Sequence, residues 1–380
     1  MRATRLTGRL LWLLAAVALA PAANAGPAPG GVFIGCDHNG DGKGDVARNN
    51  GATGIRTDIL DNITSTANGN FANGGGVFVM KACGKFNGDA FFDIVAQGGG
   101  SIRVTYVGST GTAPSATPPL FFGDGGGTWV VVDAQDVNGD GIDEIIAVNT
   151  PAAAVRITDV STGAPVHSYL STGGGIWQYM FAGDFNGDHH KDLLFNGTGA
   201  AAGVARVNLS GTTSTVFFPQ GGSPPAWLPT GAGYFDLSGR TGEIDTGAGP
   251  ALGLYRIRLT DATGNIAGAP GFFANGSGTY AIRTIADMDG DGIQDLGEYS
   301  SGANNRVTML NGTAVKSQYI TGNAGGSFQL RYSPDTNANQ KSSLVSIDGS
   351  SNVRVQSQDG TVVTGTNVLA PAGGLVVPVY

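Results

Sequence analysis

Asp136-Val137-Asn138-Gly139-Asp140-Gly141-Ile142-Asp143-Glu144 sets oxygen-bearing side chains at alternate positions around two glycines. The stretch reads as a loop folded around a hard cation. Calcium takes roughly six to eight oxygen ligands at about 2.3–2.6 Å, so a short loop must turn several oxygens inward at once. Asp136, Asn138 and Asp140, at positions 1, 3 and 5, supply side-chain oxygens. Ile142 at position 7 supplies its backbone carbonyl, and Glu144 at position 9 closes the shell. Gly139 and Gly141 permit the tight bend, because a residue without Cβ takes positive φ at little cost.

The stretch recurs, and the recurrence sets the architecture. Counterparts begin at Asp37, Lys85, Asp136, Asp184, Asp236, Asp287 and Asp335, with spacings of 48, 51, 48, 52, 51 and 48 residues. Before each loop come a Gly-rich turn and an apolar run, as in Trp129 to Ala134 and Trp177 to Ala182. After it come a second short run (Ile145 to Val148, Leu193 to Phe195), another turn, a β-branched strand and a last strand often ending in Phe-Phe. Four strand signals in a repeat of about 50 residues are the mark of a propeller blade. No stretch beyond the N-terminal leader shows a helical period. The expected fold is therefore all-β: a seven-bladed β-propeller with four-stranded antiparallel blades at 31–73, 74–124, 125–172, 173–221, 222–274, 275–323 and 324–371. A strand at 373–380 would close the ring against the first blade. The alternative reading of 64 glycines, a low-complexity linker, does not account for apolar runs that return on schedule.

The Asp-x-Asn/Asp-Gly-Asp-Gly-x-x-Asp/Glu loop between two strands, in seven copies, resembles the FG-GAP or VCBS repeat family, which includes the integrin α-subunit propeller. The resemblance covers essentially all of the chain after the leader. It implies that each loop joins the first and second strands of its blade, that the loops share one face of the ring, and that about four of them bind calcium. Carried over residue by residue, the complete sites are Asp37, Asn39, Asp41, the Lys43 carbonyl and Asp45; the Asp136 loop with Asn138, Asp140, Ile142 and Glu144; Asp184, Asn186, Asp188, the His190 carbonyl and Asp192; and Asp287, Asp289, Asp291, the Ile293 carbonyl and Asp295. The second copy has Lys85 at position 1, and the fifth, counted from Asp236, has Arg240 at position 5 and Ile244 at position 9. Either these cations fill the place of the ion, Lys85 against Asp89 and Asp93 and Arg240 against Asp236 and Glu243, or the sites have decayed. The seventh copy (Asp335, Asn337, Asn339, Ser343) keeps oxygens but little charge.

Residues 1–25 read as a secretory signal peptide: Arg2, Arg5 and Arg9, an apolar run from Leu10 to Ala20, and small residues at Ala23 and Ala25. The run is too short for a bilayer core of about 30 Å, and no later stretch is long enough either. The single domain at 26–380 is thus expected to be secreted, periplasmic or held at the cell surface. Loss of three arginines takes the net charge from −8 to −11. Such a chain repels phosphate, which speaks against nucleic acid. Twenty of the 29 acids lie in or beside the loops, so four bound dications would cancel most of the excess.

Four further features stand outside the loops. Cys36 and Cys83, the only cysteines, form a disulfide on export or remain two buried thiols. Arg56, Arg103, Arg156, Arg206, Arg256, Arg306 and Arg354 follow the loop starts by 18 to 22 residues. They are either packed between blades with their heads on carbonyls of the next blade, or form a ring that receives carboxylates or sulfates of an acidic glycan; Arg103, Arg156 and Arg206 are the candidates for the second role. Phe78, Trp129, Trp177, Tyr280 and Phe328 lie seven residues before their loops, as core or as sugar platforms. Trp227 sits in an irregular Pro-rich segment and is the candidate for an exposed contact. Asp124 to Trp129 resembles an Asp-box but occurs once. The functional expectation is a calcium-binding adhesion or recognition module for a surface glycan or extracellular protein. The alternative is a lyase or hydrolase acting on acidic polysaccharides, although the turns away from the loops are short and nearly free of titratable groups.

Overall fold

The computed structural model describes residues 35–149, 153–210, 214–221, 226–248, 251–300, 302, 304–324, 328–333, 335–336, 338–348 and 352–369. The expected leader and the strand at 373–380 lie outside them. Among the described residues, 28 strands form seven four-stranded antiparallel sheets spanning 35–71, 79–123, 130–171, 177–219, 227–274, 281–322 and 329–369. Each sheet uses four strands consecutive in sequence, so the chain is a seven-bladed β-propeller. First strands of successive blades lie side by side, Val79–Gly84 next to Val130–Gln135 and Trp177–Gly183 next to Trp227–Gly233. The first strand of each blade is therefore the inner one and the fourth the outer one.

Alternation along the middle strands explains the continuous apolar runs. Successive side chains point to opposite faces, and each blade is covered on both. In Asp192–Gly197, Leu193 and Phe195 pack toward blade 3 while Leu194 packs within blade 4 toward blade 5. Seven hydrophobic clusters result, one at each blade interface. Burying one Leu or Phe in such a cluster contributes about 1.5–3 kcal/mol. The cluster of Val46 and Leu60 with Val345, Ile347, Val353 and Val355 joins blade 7 to blade 1.

Backbone hydrogen bonds repeat at the same interfaces. The N–H of the eighth loop residue donates to the carbonyl of the first loop residue of the preceding blade. The seven bonds are Phe92 to Asp37, Asp143 to Lys85, Lys191 to Asp136, Thr241 to Asp184, Gln294 to Tyr234, Ser342 to Asp287 and Gly44 to Asp335, at 2.6–3.1 Å. The last closes the ring, helped by Asn62 N–H to the Thr336 carbonyl at 2.7 Å.

This pattern corrects the register of the fifth copy. In blade 4 the residue before the loop, Gly183, pairs with position 9, Asp192; in blade 5 the matching pair is Gly233 and Gly242. The loop there starts at Tyr234, not Asp236, so Asp236, Ser238 and Arg240 occupy positions 3, 5 and 7. A bulge four residues before the loop, at Lys81, Val132, Met180, Thr230, Arg283 and Arg331, supports the same alignment. Trp227 is then seven residues before its loop and belongs to the periodic aromatic series. It is half-buried as the first residue of Trp227–Gly233.

Cys36 and Cys83 lie on neighbouring inner strands with Cα atoms 6.5 Å apart, joined as a disulfide; closing a loop of that length contributes on the order of 4 kcal/mol. Asp124 is a turn cap. Its Oδ1 accepts Gly127 N–H at 2.7 Å, as Asn73 does for Gly76 and Asn275 for Gly278.

Two outcomes follow from this packing. A Cβ at Gly271 would overlap the carbonyl oxygen of Thr313 in the next blade. Gly271→Ala should therefore cost about 1–3 kcal/mol in a thermal or denaturant melt, and an unchanged midpoint would contradict the close approach. Asp133, buried on the inner strand of blade 3 and bonded by the Tyr179 hydroxyl at 2.9 Å, is pushed up to about 6 by burial. A raised folded-state value means that the folded chain holds the proton more tightly than the unfolded one. The penalty is absent below the ordinary carboxylate range and complete above about 6, where it is on the order of 3 kcal/mol. Asp133→Asn should thus raise the melting temperature at pH 8 and change it little at pH 4.

Candidate metal centres

Each loop is built by carboxylates that gather backbone N–H groups. At position 1, Asp136 accepts Gly139 and Gly141 N–H at 2.7 and 2.9 Å, and Asp287 accepts Gly290 and Gly292 at 2.6 and 2.8 Å. Asp37 and Asp184 do the same for Gly42 at 2.7 Å and Gly187 at 2.6 Å. Asn39, Asn138, Asn186 and Asp289 at position 3 each accept the N–H of position 5. Asp41, Asp140, Asp188 and Asp291 at position 5 accept the N–H of Lys43, Ile142, His190 and Ile293 at 2.9–3.0 Å. Gly40, Gly139 and Gly290 at position 4 have positive φ, and position 7 of the next blade (Phe91, His190, Lys341) lies against each.

Position 9 is the buried end of the site. Asp45, Asp192 and Asp295 are fully buried and Glu144 is 2% exposed. Each accepts the N–H of position 2: His38, Phe185, Met288 and Val137, at 2.8–2.9 Å. The second oxygen of each aspartate accepts from the end of the third strand, through Leu60, Ser210 and Leu310. Burial, with neighbouring carboxylates adding to it, pushes Asp45, Glu144 and Asp295 up to about 8 and Asp192 up to about 7. A nearby positive charge would favour the ionised form of each at neutral pH.

The donor set fits a hard dication: it offers carboxylate and amide oxygens. Among the described residues, three acids converge most closely in the fourth complete site, where oxygens of Asp287, Asp289 and Asp295 lie within 4.8 Å of one another. In the other three complete loops position 3 is Asn39, Asn138 or Asn186, so one converging oxygen is an amide. Calcium would supply positive charge at the centre of each set. Lys316 already leans into the Asp287 loop, its Nζ 2.6 Å from Asp289 and 2.7 Å from Asp291.

The incomplete copies do not fill their sites in the expected way. The Lys85 ammonium lies over the Phe92 ring, 5.3 Å from its centroid, and no ion pair with Asp89 or Asp93 occurs among the described residues. Arg240 donates through Nε to the Thr260 carbonyl at 2.9 Å, and Glu243 pairs instead with Arg258. The reason is geometric: position 7, where Arg240 sits, points along the rim toward Gly187 of blade 4. Blade 5 has no carboxylate at position 9, because Gly242 stands there. Asp93 of blade 2 keeps both its backbone bonds, from Phe86 and Val107, so position 9 has a structural task apart from any metal. In blade 7, Thr336 and Ser343 share a hydroxyl bond at 2.7 Å, and Asn337 lies outside the described residues. Three of the four histidines lie in loops. Buried His38 is pushed down to about 4 by burial, with Nδ1 2.7 Å from the Phe92 carbonyl.

The periodic arginines are not a surface ring. Arg103, Arg156, Arg256, Arg306 and Arg354 are 3–8% exposed, and Arg206 is half-buried. Their guanidinium carbons stand 4.4–5.0 Å from the ring centroids of Phe78, Trp129, Trp177, Trp227, Tyr280 and Phe328. Arg156 and Arg306 also donate to carbonyls that end the outer strand of the preceding blade, Gly123 and Ala274, both at 3.2 Å.

The two roles of the loop acids separate by mutation. Asp93→Ala should destabilise by about 1–3 kcal/mol, equally in calcium and in chelator. Asp136→Asn, which loses the charge and one of two backbone acceptors, should lower the melting temperature more in calcium than in chelator. Equal behaviour of the two variants would contradict the separation. Lys316→Met should tighten calcium binding at the Asp287 loop by roughly 2- to 10-fold in calorimetric titration, as expected when weak competing ion pairs are removed; unchanged or weaker binding would show that Lys316 does not compete.

The FG-GAP-like repeat family profile matches residues 136–195, from the loop of blade 3 into the second strand of blade 4. No curated protein matches the chain. Among solved structures, it is similar to BBS1N in a crystal structure with ARL6DN, soaked with mercury, at 12% identity and TM-score 0.49, over 88% of this chain and 92% of that one. It is also similar to the WD40 β-propeller domain of Doa1, at 10% identity and TM-score 0.47, over 87% and 96% of the two chains. The matched repeat, together with seven four-stranded blades that each carry the loop between their first and second strands, fits the FG-GAP repeat propeller family.

Proposed function

We propose that this protein is an exported recognition module, a propeller held by calcium at about four loops, whose ligand is a surface glycan or an extracellular protein. The observation that carries the calcium part is the set of buried position 9 carboxylates, Asp45, Glu144, Asp192 and Asp295, each beside further acids of its own loop. A cation bound only by the folded chain stabilises it in proportion to its occupancy. Extracellular calcium modules work near 10⁻⁴–10⁻³ M, about the range available outside a cell. No helix among the described residues is long and apolar enough to cross a membrane. The residues 1–25, read as a leader, support export.

The recognition part rests on the distribution of chemistry over the ring. Most of the strongly perturbed carboxylates are buried and bonded to backbone as loop closers, and Asp133, on the inner strand of blade 3, is buried against the Tyr179 hydroxyl. Blade 5 adds an internal network in which Glu243 and Asp245, both fully buried, are paired with Arg256 and Arg258. Such groups hold the fold together and do not face a substrate. A module of this kind should be retained by its ligand without altering it. The test is co-sedimentation of the purified chain with insoluble acidic and neutral polysaccharides, in millimolar calcium and in chelator, with sugar release assayed in the same tubes. Retention that needs calcium, without release, is the expected result. Release of oligosaccharide would overturn the recognition reading in favour of an enzyme acting on the polysaccharide.

A further inference from the structure

Each periodic arginine has a cross-strand neighbour on either side. On the outer strand it is Phe121 beside Arg103, Tyr169 beside Arg156, Phe217 beside Arg206 and Phe272 beside Arg256. These four aromatics are 53–58% exposed, although the residue after each turns inward. They are not loose: each ring lies 5.5–6.0 Å from the inner aromatic of its own blade, the same ring that the guanidinium covers. Blades 2 to 5 thus each present an exposed aromatic backed by a second ring and a cation that is buried in blades 2, 3 and 5 and half-buried in blade 4. All lie at the end of the blades where first strands begin, opposite the nine-residue loops.

On the second strand the neighbours divide blades 2 to 6 into two kinds; Arg354 of blade 7, opposite Ser346, also lacks partners at Nε and one Nη, but its outer-strand neighbour is Val368 rather than an aromatic. Arg256 and Arg306 face Asp245 and Glu298, which pair with them at 2.8 and 2.5 Å. Arg103, Arg156 and Arg206 face Ala96, Ala147 and Phe195. No carboxylate lies within ion-pairing distance of these three among the described residues, and the buried Asp124 carboxylate acts on Arg156 only from farther away. Nε and one Nη of Arg103 and of Arg156, and Nε of Arg206, have no hydrogen-bond partner, and burial lowers the pKa of all three. A buried or half-buried cation without an ion-pair partner is costly, and stacking on an aromatic face offsets only about 0.5–2 kcal/mol of that. An anion held at the adjoining surface would supply the rest.

We infer that the sector formed by blades 2, 3 and 4 at this end of the ring binds an acidic polysaccharide, with sugar rings against Phe121, Tyr169 and Phe217 and sugar carboxylates drawn by Arg103, Arg156 and Arg206. The inference rests on the recognition reading and narrows its ligand. The charge pattern selects the occupant. On a chain of net charge −8, a local positive field is needed before any polyanion approaches, and three unpaired guanidiniums in consecutive blades provide it. A linear polymer with one charge per sugar suits well-separated cations and flat apolar faces. Blade 5 has the same aromatic pair but a neutralised arginine, which makes it an internal control.

The test is affinity electrophoresis of the full chain through gels containing soluble polygalacturonate or uncharged hydroxyethylcellulose. Polygalacturonate should retard the protein, less at high salt, and hydroxyethylcellulose should not. Tyr169→Ala and Phe217→Ala should each weaken the interaction about tenfold, the size of an interface hot spot, whereas Phe272→Ala should leave it unchanged. All three side chains are more than half exposed, so equal melting temperatures would show that the variants fold. If polygalacturonate retards every variant alike, or Phe272→Ala weakens binding as much as the others, the sector is wrong while acidic-glycan recognition stands. Retardation by hydroxyethylcellulose, or retention on neutral polysaccharide alone in the sedimentation assay, overturns the acidic ligand and leaves the recognition module. No retention on any polysaccharide removes both the sector and a glycan ligand.

Discussion

One backbone hydrogen bond, repeated at every blade interface, ties this ring together. The eighth residue of each nine-residue loop donates to the carbonyl of the first residue of the loop before it, and the seventh such bond, Gly44 to Asp335, returns to the start. The bond has a stringent requirement: both loops must hold their backbones in the one conformation that aims a donor at an acceptor. Carboxylates meet that requirement by collecting loop N–H groups, as Asp136 and Asp287 do. They also concentrate negative charge on one end of the molecule. A cation bound there, as proposed above, would offset that charge and act on the interface as well as on its own loop.

The loops and the apolar clusters divide the work of closure. The seven clusters supply most of the attraction between blades, and closure removes the exposed sheet edges that would pair with other chains. The hydrogen bonds set the register. Where a loop has lost its donor set, as in blades 2 and 5, the bond persists: Asp143 still donates to Lys85, and Gln294 to Tyr234. Position 9 of blade 2 likewise keeps its carboxylate for two backbone donors. The backbone scaffold thus persists in blades whose loops lack the full set of oxygen donors.

Much of this was legible in the sequence, and the failures have physical causes. Alternating oxygens with paired glycines located the complete loops, and apolar runs on a regular period gave seven blades of four strands. The fifth loop was misplaced because Asp236 mimics a first position. The better guide was the fixed distance from an inner aromatic, since Trp227 precedes Tyr234 by the same seven residues that separate Trp177 from Asp184. The directions of Lys85 and Arg240 were unreadable, because a long side chain chooses among partners that only the folded ring brings near. The inner-strand bulge left no trace in composition. The burial of the arginines could be argued only as one of two readings. The split between paired and unpaired arginines, by contrast, was written in the second strand, as Ala96, Ala147 and Phe195 against Asp245 and Glu298.

The two ends of the ring thus differ in chemistry: acidic loops at one, and aromatic stacks over buried arginines at the other. The central claim is that cations in the acidic loops hold the interface bonds shut. Amide hydrogen exchange in calcium and in chelator tests it most directly, followed at the donor residues. Chelation should speed exchange most at Lys191, which joins two complete loops, and by less at Phe92, Asp143, Thr241, Gln294 and Ser342, each of which joins a complete loop to an incomplete one. Equal exchange at all six amides with and without calcium would contradict the account.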